Sequence, residues 1–260
     1  MFKSLITITF VLGSITVFSD TSEQYVHRSE FFFCNFNDGK DYSDLLEEQA
    51  PYEDFLTENE LQYNRINLLP IWDNDAEYDY IMWGNWPSGQ DQYTEWGAYM
   101  NDYPKWAEEN DLPPQNVGDC EKGALSMRFH SLLRLRVPMD ERDERMFTDW
   151  RRCKLTDDAS ITDLKALYAK QEKLAKDFGL SGYGVSMFTP YRGNQMETDW
   201  DVLMMTHWYN TESRVDLIRS YRGWRDALLD SGIMDERSKH IESCSEPDTY
   251  QSHMIYNTHK

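Results

Sequence analysis

The sequence predicts an α+β fold in which one β-α-β-β-α-β unit is written twice, and three observations carry that expectation. The chain matches itself at a period of about 120 residues. Cys34 falls on Cys153 and Asp44-Leu45 on Asp163-Leu164 at an offset of 119, and Tyr63 and Pro70 fall on Tyr183 and Pro190 at 120. Residues 77–86 (EYDYIMWGNW) fall on 199–208 (DWDVLMMTHW) at 122, and Cys120 falls on Cys244 at 124. The offset only grows, as small loop insertions produce. Both copies also present the same order of strand-like alternation and capped helices, and each holds two of the four cysteines at corresponding places.

Taken in order, the first strand of each unit is expected over residues 31–36 and 147–155, which are apolar or alternating runs. The turns NDGKD and TDDAS follow, placing Asp41 and Ser160 three residues before Asp44 and Asp163. A side-chain acceptor followed by an acid in the first turn starts a helix. In the second unit Ile161, Leu164, Leu167, Tyr168, Leu174 and Phe178 keep helical spacing until Gly179 stops it. In the first unit Pro51 is expected to begin a new turn or kink the helix, because it has no N–H to donate. Hairpins come next, 62–71 with 78–86 and 182–191 with 200–208, linked by turn-rich DNDAE and RGNQMET. A second helix is expected over 88–100 and 211–229, and a last strand over 124–137 and 251–256.

That order is the ferredoxin-like split unit. In it the last strand lies antiparallel beside the first, so the end of strand one meets the start of strand four. Cys34 and Cys153 close first strands, and Cys120 and Cys244 precede fourth strands. Of the pairings open to four cysteines, topology therefore selects Cys34 with Cys120 and Cys153 with Cys244. Each bridge closes a loop of about 90 residues, which stabilises the fold by at most about 4 kcal/mol.

Residues 1–19 (MFKSLITITFVLGSITVFS) hold one Lys, an apolar run over 5–18 broken by Gly13 and Ser14, and a closing Ser19 with Val17 two positions earlier. This is the pattern of a secretory signal peptide, too short to span a bilayer. The remainder divides into a first half, 20–138, and a second, 139–260. An exported chain is expected in the periplasm or outside the cell, where cysteines are oxidised. With 40% hydrophobic, 14% aromatic and 28% charged residues the chain is neither an integral membrane protein nor a disordered acidic tail. After loss of the signal no membrane association is expected. A formal charge of −20 repels phosphate backbones, so nucleic acid is not expected as a partner; the oligomeric state is not specified.

Two such halves in one chain resemble the dimeric α+β barrel superfamily in its single-chain tandem form. The resemblance covers about residues 25–260 and rests on element order and repeat, without a signature motif. The chain is also similar to exported proteins of marine bacteria with the same cysteine-plus-helix openings, a likeness that carries no function. The superfamily resemblance implies two halves packed sheet to sheet with the helices outside. It includes cofactor-free monooxygenases, haem enzymes, lyases, isomerases and stress proteins, so it leaves the chemistry open.

The third strand is central in each sheet, and its alternation gives two sets. Tyr78, Tyr80, Met82, Gly84 and Trp86, matched by Trp200, Val202, Met204, Thr206 and Trp208, are expected to face the barrel interior. Asp79, Ile81, Trp83 and Asn85, matched by Asp201, Leu203, Met205 and His207, are expected to face the helices. The ligand-binding candidates are Tyr63, Tyr80, Met82, Trp86, Tyr183, Met204 and Trp208, an aromatic set suited to a small apolar or aromatic molecule; the competing reading is that they only fill space. His207 stands where the first half has Asn85 and is the candidate catalytic base; His130, beside Arg128, is the other histidine of interest. No metal site and no cofactor are expected: no two histidines have a metal-binding spacing, and Asp73, Asp75, Glu77 and Asp79 lack the glycine and terminal acid of an EF-hand. Asp79 and Asp201 recur and are expected to serve structure. Arg134, Arg136, Arg142 and Arg145 straddle the join and are expected to be solvated or salt-bridged. The expected function is binding of a small organic molecule, with cofactor-independent catalysis of monooxygenase, lyase or isomerase type. The alternative is a non-catalytic interaction module with a filled interior.

Overall fold

The computed structural model describes residues 27–72, 76–120, 124–192 and 199–258. The expected export signal, Asp73, Asp75 and residues 193–198 of the RGNQMET turn lie outside the described residues. The first half runs β1 (Arg28–Phe36), α1 (Tyr42–Glu58), β2 (Asn64–Trp72), β3 (Tyr80–Trp86), α2 (Gly89–Asn101), α3 (Tyr103–Glu109), β4 (Gly118–Asp119) and β5 (Ala124–Leu135). The second half runs β6 (Arg145–Leu155), α4 (Ile161–Asp177), β7 (Tyr183–Arg192), β8 (Val202–Trp208), α5 (Thr211–Asp230), α6 (Ile233–Arg237), β9 (Ile241–Cys244) and β10 (Asp248–Asn257). With the short additions set aside, each half is β-α-β-β-α-β, as the repeat predicts.

Both first helices begin as their turns dictate. The Asp41 carboxylate accepts from the Ser43 and Asp44 N–H groups while Asp44 accepts from the Asp41 N–H, and Ser160 and Asp163 repeat the exchange. Such a cap contributes roughly 1 kcal/mol. Pro51 does not divide the first helix: α1 stays helical through it for 17 residues. Its packing face, Leu45, Tyr52, Phe55 and Leu56, outweighs the lost backbone bond.

Hydrogen bonding joins the two sheets edge to edge into one closed barrel. The first half is ordered β5-β1-β3-β2 and the second β10-β6-β8-β7; β2 pairs with β10 and β5 with β7, all antiparallel. The short β4 and β9 extend the outer ends of β1 and β6, and they deliver the second cysteine of each half. Cys34 is bonded to Cys120 and Cys153 to Cys244, the pairing expected from topology. Disulfides form and persist in oxidising compartments. Asp79 and Asp201 serve these strand ends alike, accepting from the Phe36 and Leu155 N–H groups, each at 2.8 Å.

The barrel centre is filled. Phe31, Trp83, Trp150 and Phe188 from both halves meet there with Ile81, Leu203 and Met205. The expected orientation of the central strands is therefore reversed: Ile81, Trp83, Leu203 and Met205 point inward. Tyr80, Met82 and Trp86 pack under α1, and Val202, Met204 and Trp208 pack under α4 and α5. The helix side of the sheet takes these aromatics because partners for their polar tips stand there: Glu95 of α2 for Trp86, and Asp149 of β6 for Trp208. Only Tyr78 and Trp200, which precede the regular strands, pack with the interior cluster as expected. Among the described residues no helix is long and apolar enough to cross a membrane.

Candidate functional site

Among the described residues, the candidate ligand-binding residues and His207 divide among three cavities along the barrel. Tyr63, Tyr80, Met82 and Trp86 line a cavity of about 350 Å³ between the first-half sheet and α1 and α2. Tyr183, Met204 and Trp208 line the corresponding space in the second half, about 300 Å³. His207 joins neither. It lines a cavity of about 480 Å³ at one end of the barrel, which Asn85 shares, so the two residues face one common space rather than two separate clefts.

The first-half cleft has a floor written by strand register. Glu30 on β1 lies opposite Gly84 on β3, and Gly84 lies opposite Arg65 on β2; Ser126 on β5 and Tyr256 on β10 continue the row. A side chain at residue 84 would collide with the Tyr63 hydroxyl, 2.5 Å from where its Cβ would stand. Glycine thus lets the Tyr63 ring lie across the floor. That hydroxyl accepts from Arg65 Nε at 2.7 Å, and Arg65 Nη1 rests 2.8 Å from the Met82 sulfur. The Trp86 ring packs 4.9 Å from Tyr63. Above them Glu95 of α2 accepts from the Tyr52 hydroxyl and, at 3.2 Å, from Trp86 Nε1.

The cleft brings two carboxyls and one guanidinium out of water together. Glu30 is only 4% exposed, and its Oε2 has no hydrogen-bond partner. Burial pushes its pKa up to about 7 against the pull of the Ser126 hydroxyl; Glu95 adds to the rise and Arg65 opposes it. Burial also raises the Glu95 carboxyl, opposed by Tyr52, Arg65 and Trp86. Glu30 can accept or release a proton at neutral pH, and the guanidinium two strands away can face the charge that such a transfer leaves.

Glu30, Arg65 and Glu95 were missed in the sequence. Glu30 lies one residue before the expected start of the first strand. Its signal is an acid four residues before each strand-closing cysteine, Glu30 before Cys34 and Asp149 before Cys153. In the second cleft Asp149 is well satisfied: it accepts from Thr249 Oγ1 at 2.7 Å, Trp208 Nε1 at 3.2 Å and Arg214 at 3.4 Å.

At the barrel end His207 Nε2 is 3.1 Å from Ser186 Oγ, and its ring stacks on Trp83 at 5.4 Å. Burial, aided by Arg134, pushes its pKa down to about 4, so the imidazole is neutral at pH 7. His130 faces outward, 3.1 Å from Thr189 Oγ1. Among the described residues no group of three or more His, Cys, Asp or Glu is placed to hold a metal ion.

No protein-family model matches the sequence, and no curated protein matches it significantly. Solved structures are similar in fold. An anthrone oxidase-like protein is 15% identical, covering 91% of this chain and 96% of its own, with a TM-score of 0.47. A mutant chlorite dismutase from Candidatus Nitrospira defluvii is 12% identical, covering 88% and 91%, with a TM-score of 0.44. A presumed monooxygenase from Lactobacillus acidophilus is 7% identical, covering 90% and 97%, with a TM-score of 0.49.

Proposed function

We propose that the chain, exported to an oxidising compartment in the periplasm or beyond the cell, binds a small aromatic molecule in the first-half cleft and that Glu30 moves a proton on it. The observation that carries this reading is a buried carboxyl titrating near 7 on the floor of an aromatic-walled cavity, with Arg65 two strands away. The volume, about 350 Å³, suits a molecule of two fused rings and its substituents. Tyr63 and Trp86 supply flat surfaces, and Tyr63 holds the Arg65 fork in place.

The reaction this supports is a keto–enol or related isomerisation. The Glu30 carboxylate takes a proton from the carbon next to a carbonyl, the electron pair moves onto the carbonyl oxygen opposite Arg65, and Glu30 returns the proton at a different atom. No oxidant and no dissociable cofactor enters that balance. His207, the base expected from the sequence, faces the other cavity and takes no part in this step.

The test uses 2-tetralone in D₂O, followed by NMR, with thermal shift as the binding readout. The expected result is ligand-dependent stabilisation and catalysed deuterium incorporation that rises with pH through about 7. Glu30→Gln retains the stabilisation and loses the incorporation, whereas Trp86→Ala loses both. Absence of any shift across hydroxylated naphthalenes and tetralones would remove the reading.

The filled barrel centre favours the second reading, a binding protein without chemistry, only for the interior itself; the helix-side cleft is open. The eight barrel strands leave no long free edge for a partner strand to join.

A further inference from the structure

We propose that the mouth of the barrel is a second binding site, separate from the helix-side cleft, for a small organic molecule carrying a carboxylate or phosphate. The site is the cavity of about 480 Å³ that holds His207. Its inner wall is polar in a protein whose barrel centre is otherwise apolar: Asn85 Nδ2 donates to Asn64 Oδ1 at 2.8 Å, Thr148 Oγ1 to Ser252 Oγ at 3.1 Å, and His207 meets Ser186 at 3.1 Å. These six side chains come from six different strands. They can offer hydroxyl, amide and imidazole groups to the body of a ligand, over the Trp83 ring.

The rim carries Arg134, Arg136 and Arg142. Among the described residues none of the three has a carboxylate ion-pair partner within 4.0 Å, and the buried Nε of Arg142 has no hydrogen-bond partner. The nearby Glu172 carboxylate is committed elsewhere, to the Arg134 backbone N–H and Lys176. Among the described residues no Asp or Glu lines the cavity, although the chain holds 46 acids against 26 bases. Three cations thus stand at the rim of this polar concavity, while Asp140, Glu141 and Asp143 beside Arg142 are not among its lining residues. Low-dielectric walls focus such a field on an anion, and the guanidinium fork matches a carboxylate or phosphate. The expectation from sequence that these arginines are solvated or salt-bridged holds for Arg136 and Arg145, which are exposed; Arg145 lies apart from the cavity, over the Tyr42 ring.

Calorimetric titration with benzoate, citrate and phenyl phosphate, with sodium sulfate as the inorganic control, tests the proposal. The expected result is saturable binding of at least one organic probe, weakened about tenfold by Arg136→Gln and by Met139→Glu. Both positions are exposed, Met139 at 74%, so these variants retain the fold. Preference for phenyl phosphate over the carboxylates, or the reverse, identifies the head group. Glu30→Gln is expected to bind the same probe as tightly as the parent, which separates this site from the helix-side cleft. The proposal is overturned if no organic probe saturates, if sulfate binds as tightly as every organic probe, or if Glu30→Gln loses binding that Arg136→Gln and Met139→Glu keep.

Discussion

Asp149 occupies in the second half the place that Glu30 occupies in the first. Each stands four residues before its strand-closing cysteine and opposite a small residue of the central strand, Thr206 or Gly84. Asp149 has three donors, one of them Arg214 from α5, while Glu30 Oε2 has none. Both clefts hold an acid at this place, and only the first-half one keeps an oxygen without a donor.

Asp149→Asn should therefore act on stability alone. It removes the charge from three hydrogen bonds and leaves Arg214 unpaired, which costs about 1 to 3 kcal/mol. Urea unfolding reads the loss, and the response of the first cleft to 2-tetralone should not change.

Glu30 makes the opposite prediction. Its folded pKa, about 7, lies above the ordinary 4.5. Over that window the folded chain holds a proton that the unfolded chain has released, so stability falls as pH rises and levels off above 7. Glu30→Gln should flatten the fall and be more stable than the parent at pH 8, by up to roughly 3 kcal/mol. Parallel pH profiles for the two proteins would show that the carboxyl titrates normally.

Gly84→Ala tests the floor of the cleft. The new methyl group would meet the Tyr63 hydroxyl at 2.5 Å, and the ring must leave its place over the sheet with its bond to Arg65. Overpacking of this kind costs about 1 to 3 kcal/mol. Denaturant unfolding should show that loss together with weakened 2-tetralone binding; an unchanged variant would mean that the ring moves freely.

His207 adds acid sensitivity. Its folded pKa, about 4, lies below the ordinary 6.5, so stability is full above 6.5 and is lost as pH falls toward 4, where the unfolded chain protonates first. His207→Asn, which installs the residue found at position 85, keeps a hydrogen-bonding group beside Ser186 and should lose less stability over that range. Thermal midpoints measured from pH 7 to 4 give the comparison.

The architecture was legible because duplication prints every element twice. Cys34 and Cys153, the Asp41 and Ser160 caps, and Asp79 and Asp201 each keep their place and their task. The orientation of the central strands was not legible. Tyr80, Met82 and Trp86 alternate with Ile81, Trp83 and Asn85, both sets are apolar enough for either face, and alternation fixes only that the sets oppose each other. What decides is the carboxylate that α2 brings to Trp86 and β6 to Trp208, contacts made between elements. For the same reason the aromatic candidates line cavities, but on the helix side. Arg65 and Glu30 flank Gly84 on either side through pairings among β1, β2 and β3 that spacing alone does not reveal.

The position of β10 bears on how the molecule is made. This strand is wedged between β2 and β6, and among the described residues it alone bridges that seam. Until those residues are in place, the facing edges of β2 and β6 remain bare templates for wrong partners, however much of the remaining sheet has formed. A polypeptide cut short before Asp248 should accumulate as aggregate rather than as a shortened native molecule.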